Sequence, residues 1–92
     1  MAHIAHKVFY EGHVQGVGFR YTVKRVATGY EVAGWVKNLP DGRVELEAHG
    51  EKDEVEAFLA AIEKSELAAH IARAEKHEAG PRKDAKGFEI RF

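Results

Sequence analysis

The spacing of hydrophobic residues changes along this chain, and each change marks the boundary of a predicted secondary-structure element. Residues 4–11 alternate between apolar and polar positions, with Val8 and Tyr10 on the more apolar face, which predicts a strand. Residues 20–30 place apolar side chains at helical spacing instead, which predicts a helix. Gly29 is expected to mark the end of this helix.

The segment 32–49 has the pattern of a β-hairpin. A strand over 32–39 is followed by Pro40-Asp41-Gly42, where proline fixes φ and Asp-Gly tolerates the positive φ of a tight turn. Residues 43–49 then alternate, which predicts a strand with one buried face and one solvated face. The predicted buried face consists of Val44, Leu46 and Ala48, and the solvated face of Arg43, Glu45, Glu47 and His49.

The second half of the chain contains one clear helix and one ambiguous segment. Residues 51–64 carry an apolar stripe at helical spacing, formed by Val55, Phe58, Leu59 and Ile62. Residues 67–79 are rich in good helix formers, so propensity alone favours a helix there. A polar loop over 80–84 follows, and the alternation of 87–92 predicts a last strand.

The segment 12–20, between the first strand and the first helix, carries the most specific candidate chemistry. Gly16 and Gly18 let the backbone turn tightly and bring its N–H groups toward a ligand, and N–H groups at a helix N-terminus bind anions. Such glycines also occur in simple turns, and this spacing matches neither the dinucleotide fingerprint nor the Walker loop. Arg20 adds a planar fork of donors suited to phosphate, so we predict a phosphate-binding loop.

Two separate motifs resemble those of the acylphosphatases. Residues 14–20, Val-Gln-Gly-Val-Gly-Phe-Arg, resemble the signature loop of that family, and residues 34–38, Gly-Trp-Val-Lys-Asn, resemble its second signature. The spacing between Arg20 and Asn38 also matches the family, as does the ending over 87–92. The resemblance therefore covers about residues 7–92, nearly the whole chain.

The resemblance implies that the chain hydrolyses acyl phosphates, the mixed anhydrides of carboxylic and phosphoric acid, to a carboxylate and inorganic phosphate. It implies that Arg20 and Asn38 are catalytic and that Asn38 positions the attacking water. The residues implied in phosphate binding are Gln15, Gly16, Val17, Gly18, Phe19 and Arg20. The expected partner is a small acyl phosphate, with inorganic phosphate as product and inhibitor, and neither a metal nor a cofactor is expected.

The resemblance also implies a strand within 67–79, and the order of elements then predicts the fold. The order β-α-β-β-α-β with an extra C-terminal strand is typical of the ferredoxin-like α/β sandwich. In this α+β fold two helices cover one face of an antiparallel sheet, and the 92 residues are expected to form one domain, 1–92. The strand before the loop and the strand that carries Asn38 are candidate neighbours, since the crossover between them is right-handed.

Composition limits the remaining possibilities. The 14 basic and 15 acidic residues give a net charge of −1, which does not favour a nucleic acid or an anionic membrane as partner. The sequence contains no cysteine and no apolar stretch that could span a bilayer or serve as a signal peptide. A cytoplasmic monomer is the expectation.

Other candidate residues have simpler explanations. The six histidines lack the spacing of the His-Glu-x-x-His zinc motif and are predicted to be solvated. Trp35 is predicted to lie in the core rather than to stack on a ligand. Glu45 and Glu47 are predicted to form a solvated strand face rather than to act as acid and base.

Two alternatives to an enzyme stay open. Acylphosphatase-like domains also occur in larger carbamoyl-transferring proteins, but those bring zinc-finger cysteines that this sequence lacks. A non-catalytic phosphate- or RNA-binding ferredoxin-like module is the second alternative. RNA binding would need aromatic residues on two central strands and a basic surface; Phe9 is present, but the charge balance argues against it.

Overall fold

Five strands and two α-helices make up the fold of the residues that the computed structural model describes, 2–82 and 84–92. The elements in chain order are β1 (His3–Gly12), α1 (Phe19–Ala27), β2 (Val32–Asn38), β3 (Val44–Glu51), α2 (Lys52–Glu63), a 3₁₀ turn (Glu66–His70), β4 (Ile71–Ala79) and β5 (Phe88–Arg91). None of the helices in these two ranges is long and apolar enough to cross a membrane.

The strands form one sheet in the order β4-β1-β3-β2-β5. The prediction of an antiparallel sheet holds for β1 to β4, whereas β5 pairs parallel with β2 and makes the sheet mixed. The chain leaves β4 at one edge and enters β5 at the other, where the Gly34 amide donates to the Gly87 carbonyl at 3.0 Å. Because β5 starts beside the beginning of β2, it runs in the direction of β2.

The candidate pairing between β1 and β2 does not occur, because β3 lies between them. β3 is antiparallel to both of these strands, so β1 and β2 point in the same direction, and β5 points with them. The carboxyl ends of β1, β2 and β5 therefore meet at one edge of the sheet.

Both helices pack on one face of the sheet, as the predicted sandwich requires. The stripe predicted for α2 is buried at all four positions: Val55, Phe58, Leu59 and Ile62. Helix α1 is shorter than the predicted 20–30, since it ends at Ala27 and the amides of Thr28, Gly29 and Tyr30 each bond three residues back. A tighter last turn of this kind is common at helix ends.

The ambiguous segment 67–79 divides into two parts. It begins within the 3₁₀ turn, which is capped where Ser65 Oγ accepts from the Leu67 amide at 3.1 Å and anchored by the buried Leu67 side chain. It continues as β4, so the implied strand is confirmed from Ile71 onward. Pairing with β1 supplies the hydrogen bonds that a helix would have made, and tertiary context thus overrides the local helix propensity.

The sheet face opposite the helices is not solvated in the way that the alternation of β3 predicts. Glu45 is only 9% exposed and His49 only 3% exposed. Lys7 of β1 and Lys37 of β2 reach over the central strand, with their Nζ atoms 3.7 Å and 3.6 Å from the Glu45 carboxylate. Because β3 has a neighbour on both sides, long side chains from those neighbours cover its polar face.

Two histidines depart from the prediction that all six are solvated, whereas Trp35 is buried as predicted. His49 can be buried because both of its ring nitrogens have polar partners. Its Nε2 lies 3.1 Å from Glu47, and its Nδ1 accepts from the Arg82 amide at 3.2 Å. His6 Nδ1 is also buried, without a hydrogen-bond partner among the described residues. Trp35 is 8% exposed, but it lies under cationic side chains on the open face rather than in the helix-side core.

Candidate active site

The predicted phosphate loop and Asn38 lie at the same edge of the sheet, although they follow different strands. β1 ends at Gly12, β2 at Asn38 and β5 at Arg91, and these three strands point in one direction. Residues 13–18 connect β1 to α1 at this edge. The fold thus brings the two sequence motifs together across the intervening β3.

Buried side chains hold both ends of the loop. Val14 is fully buried, and Phe19 packs against Tyr10 with ring centroids 5.2 Å apart. Burial, with a smaller effect of Glu63, raises the pKa of the Tyr10 hydroxyl. The loop backbone is therefore fixed from the core side.

Glycine is required in the loop for its conformation rather than for space. Gly16 and Gly18 have φ values of 76° and 74°, in the left-handed region. A Cβ added at either position would meet no atom within 4 Å. The positive φ values, which other residues adopt at a cost, are what favour glycine here.

The N-terminus of α1 is uncapped. Gly18 is the N-cap and provides no side-chain hydrogen bond, and the first turn contains no acidic residue. The first amides of a helix lack partners within the helix, and they form the positive end of its dipole. This helix end therefore offers donors and partial positive charge to an anion.

Arg20 brings a full positive charge to the same place. Its Nη1 donates to the Arg91 carbonyl at 3.2 Å, and its guanidinium carbon lies 4.7 Å from the centroid of the Phe92 ring. Among the described residues no carboxylate lies within 4.0 Å of this guanidinium. Arg25, Arg43, Arg73 and Arg91 each pair with a carboxylate.

Asn38 is the last residue of β2 and is half-buried. Its backbone pairs with Val44, whereas its side-chain carboxamide makes no hydrogen bond to any described residue. A carboxamide offers a donor and an acceptor but is no base at neutral pH. It is therefore suited to orient a small polar molecule rather than to take up a proton.

The Gln15 side chain connects the loop to the β2–β3 turn. Its Nε2 donates to the Leu39 carbonyl at 2.8 Å and to the Arg43 carbonyl at 2.9 Å. Both N–H bonds of the amide are thereby used, so Gln15 can offer a phosphate only its backbone N–H. The role in phosphate binding implied from the sequence can thus apply to its backbone alone.

The β2–β3 turn is itself stiffened by an ion pair. Asp41 accepts from the Arg43 amide at 3.0 Å and from Arg43 Nε at 2.8 Å. The hydrogen bond from the Arg43 amide, followed by that from its side chain, lowers the pKa of the Asp41 carboxyl. The Arg43 guanidinium also lies 4.6 Å from the centroid of the Phe9 ring.

Sequence reasoning missed the contribution of the last strand to the site. The Arg91 carbonyl and the Phe92 ring contact Arg20, from 71 residues away in the case of the carbonyl. A carbonyl has no sequence signature, so only the resemblance of the segment 87–92 to a family motif pointed to this region.

The structure also bears on two other possibilities, a metal site and an RNA-binding surface. No group of three or more His, Cys, Asp or Glu residues within 2–82 and 84–92 could hold a metal ion. Phe9 and Trp35 both face the open side of the sheet, as RNA stacking would require. However, Arg43 lies over Phe9, and Lys7, Lys37 and Arg91 lie over Trp35, so these rings already contact cations.

Comparison with known proteins gives consistent matches. The sequence model of the family described as Acylphosphatase matches residues 6–90. An acylphosphatase from Geobacillus thermodenitrificans is 44% identical over 85 residues, which is 92% of this chain and 90% of that protein. The crystal structure of acylphosphatase from Bacillus subtilis superposes with a TM-score of 0.87 at 32% identity, covering 97% of this chain and 99% of that one.

The same fold also occurs within a larger protein. The structure of T. kodakarensis HypF matches with a TM-score of 0.83 at 34% identity, covering 97% of this chain but only 12% of that one. The match to the Bacillus subtilis protein spans both chains almost completely, whereas the match to HypF is confined to one part of it.

Proposed function

The chain belongs to the acylphosphatase family and hydrolyses acyl phosphates, and we propose that the loop 15–20 binds the phosphoryl group while Asn38 positions the attacking water. In this reaction the oxygen of water forms a bond to phosphorus, and the bond between phosphorus and the carboxylate oxygen breaks. The products are a carboxylate and inorganic phosphate. The family membership implies that the substrate is a small acyl phosphate.

The observation that carries the proposal is the uncapped start of α1 beside an arginine without a carboxylate partner among the described residues. The amides of Gln15 to Arg20 and the Arg20 guanidinium would bind the non-bridging phosphoryl oxygens. Charge that develops on these oxygens in the transition state would be stabilised by groups already in place. Arg20 and the amides would thereby neutralise the charge that Mg²⁺ neutralises in many phosphoryl-transfer enzymes, and no metal is required.

Asn38 would hold the water in line with the leaving oxygen. Its carboxamide is free of other described hydrogen bonds and lies at the same sheet edge as the loop. The leaving carboxylate departs without a proton, so the reaction needs no general acid. The proton of the attacking water can pass to a phosphoryl oxygen, so positioning supplies most of the acceleration.

Replacement of Asn38 tests this assignment. Asn38→Ala should lower kcat by about 10²-fold or more and leave the affinity for inorganic phosphate nearly unchanged, because the water is no part of the phosphate contact. Asn38→Asp keeps the shape but places a negative charge beside the phosphoryl group, so it should be at least as impaired. The measurements are kcat and the phosphate dissociation constant, with circular dichroism to check folding.

The outcomes separate two explanations of Asn38. If proton removal limits the rate, the aspartate variant should be faster than the alanine variant. A fully active Asn38→Ala variant would make Asn38 an ordinary residue at a strand end and leave the loop and Arg20 to explain catalysis.

The cytoplasmic location and the monomeric state expected from the sequence stay predictions, which cell fractionation and analytical ultracentrifugation would check.

A further inference from the structure

The loop that holds the phosphoryl group and the strand that carries Asn38 are not hydrogen-bonded neighbours in the sheet. β3 separates β1 from β2, so the strand ladder fixes their distance only through an intermediate strand. The Gln15 carboxamide crosses this gap with hydrogen bonds of 2.8 Å and 2.9 Å to the Leu39 and Arg43 carbonyls, and the Arg43 guanidinium contacts the Phe9 ring of β1 from the same turn.

The two acceptors of Gln15 belong to a rigid part of the hairpin. The Leu39 amide donates to the Arg43 carbonyl at 2.8 Å, and the Gly42 amide donates to the Leu39 carbonyl at 3.2 Å. Each carbonyl thus accepts one bond within the turn and one from Gln15. Since Leu39 directly follows Asn38, Gln15 is attached one residue away from the proposed water-binding carboxamide.

The shape of the loop itself has determinants other than this link. Val14 and Phe19 are buried at its two ends, and the positive φ values of Gly16 and Gly18 set its path. Loss of the Gln15 bonds should therefore change the position of the loop relative to Asn38 more than its own conformation.

Resting on the proposed function, we infer that Gln15 is a positioning residue for the hydrolysis. Both N–H groups of its side chain are bound to the β2–β3 turn, so they are not available to the phosphoryl group, and these bonds set the distance between the loop and Asn38. A displacement of about 1 Å between reacting groups is enough to cost about 10²-fold in rate. The side chain thus affects kcat through Asn38 and leaves phosphate binding to the backbone amides and Arg20.

The first test uses Gln15→Met, which keeps the length of the side chain but has no donor. We expect kcat to fall about 10- to 100-fold and the inhibition constant of inorganic phosphate to stay within about twofold. Gln15→Glu, which turns a carboxylate toward two carbonyl oxygens, should be at least as slow. Activity is expressed per phosphate-binding site, counted by calorimetric titration, so that an unfolded fraction does not enter the value.

A double-mutant cycle with Asn38→Ala decides whether Gln15 acts through Asn38. In the background of Asn38→Ala, the change Gln15→Met should lower kcat no further. If the two reductions multiply, or if Gln15→Met loses thermal stability while kcat per site stays normal, the inference is wrong. Should the Met variant not fold, the same cycle with Gln15→Glu decides.

The cycle also separates the inference from the proposed function. Full activity of Asn38→Ala alone would contradict the water-positioning role and with it the basis of the inference. Low activity of Asn38→Ala together with normal activity of Gln15→Met would leave the proposed function intact and refute the role of Gln15.

Discussion

At the scale of single residues, Arg20 differs from Arg25 in what its guanidinium contacts. It bonds to a backbone carbonyl and lies against a ring, whereas Arg25, on the same helix, pairs with Glu66. Arg20→Lys keeps the charge but loses the planar fork, so we expect kcat/KM to fall by about 10²-fold or more. Arg25→Lys is the matched control and should leave activity unchanged. Near-normal turnover of Arg20→Lys would contradict bidentate binding of the phosphoryl group.

Asp41 gives a prediction about pH. The Arg43 amide and side chain lower the pKa of its carboxyl in the folded protein, so its ionised form stabilises the fold. This contribution is present above the unfolded-state pKa and disappears as the pH falls through the lower, folded-state pKa. The difference in melting temperature between the wild type and Asp41→Asn should therefore be present at pH 7 and vanish in strong acid. A difference that does not change with pH would contradict the ion pair.

At the scale of elements, the close approach of β2 to β3 depends on Gly34. Its φ is 142°, and a Cβ at this position would lie 1.9 Å from the Glu47 carbonyl oxygen. Gly34→Ala should lower the free energy of unfolding by about 3 kcal/mol or more, measured by urea denaturation. Gly29→Ala is the control, because the nearest atom to its added Cβ lies 3.6 Å away. Equal effects of the two changes would refute the steric argument.

The helices and strands differ in how well their conformation and burial could be predicted from the sequence. The stripe of α2 could be predicted because its burial follows from local spacing, from Val55 to Ile62. The burial of Glu45 and His49 could not be predicted, because it depends on Lys7, Lys37 and the Arg82 amide, which only the tertiary structure brings to β3. Local propensity did not indicate β4 either, since its conformation comes from pairing with β1, and only the family resemblance implied a strand there.

At the scale of the whole molecule, phosphate binding should stabilise the fold. A ligand that binds only the native state at ten times its dissociation constant adds about 1.4 kcal/mol, which for a domain of this size corresponds to several degrees in melting temperature. Inorganic phosphate should therefore raise Tm and inhibit competitively, whereas EDTA should change neither Tm nor activity. Arg20→Ala should lose most of the Tm shift. Activity that depends on added Mg²⁺ or Zn²⁺ would contradict the proposed mechanism.

The site as a whole was only partly accessible from the sequence. Gly16, Gly18 and Arg20 could be predicted as candidates from the chemistry of a phosphate loop, and Asn38 from its place in a second motif. The hydrogen bonds that connect these residues could not be predicted. They run from the Gln15 side chain to two backbone carbonyls and from the Arg20 side chain to a third backbone carbonyl. Backbone carbonyls are present at every position, so the residue types do not indicate which of them accept these hydrogen bonds.

The strand that supports Arg20 has consequences for how the enzyme loses activity. β5 has four residues, lies at the edge of the sheet and pairs with β2 alone. Short edge segments open at a lower free-energy cost than central strands, without unfolding the rest of the domain. Each opening would release the guanidinium from the Arg91 carbonyl while the core under α1 and α2 stays folded. Amide hydrogens of β5 should therefore exchange faster than those of β3, and inactivation by mild denaturant should precede the cooperative unfolding transition.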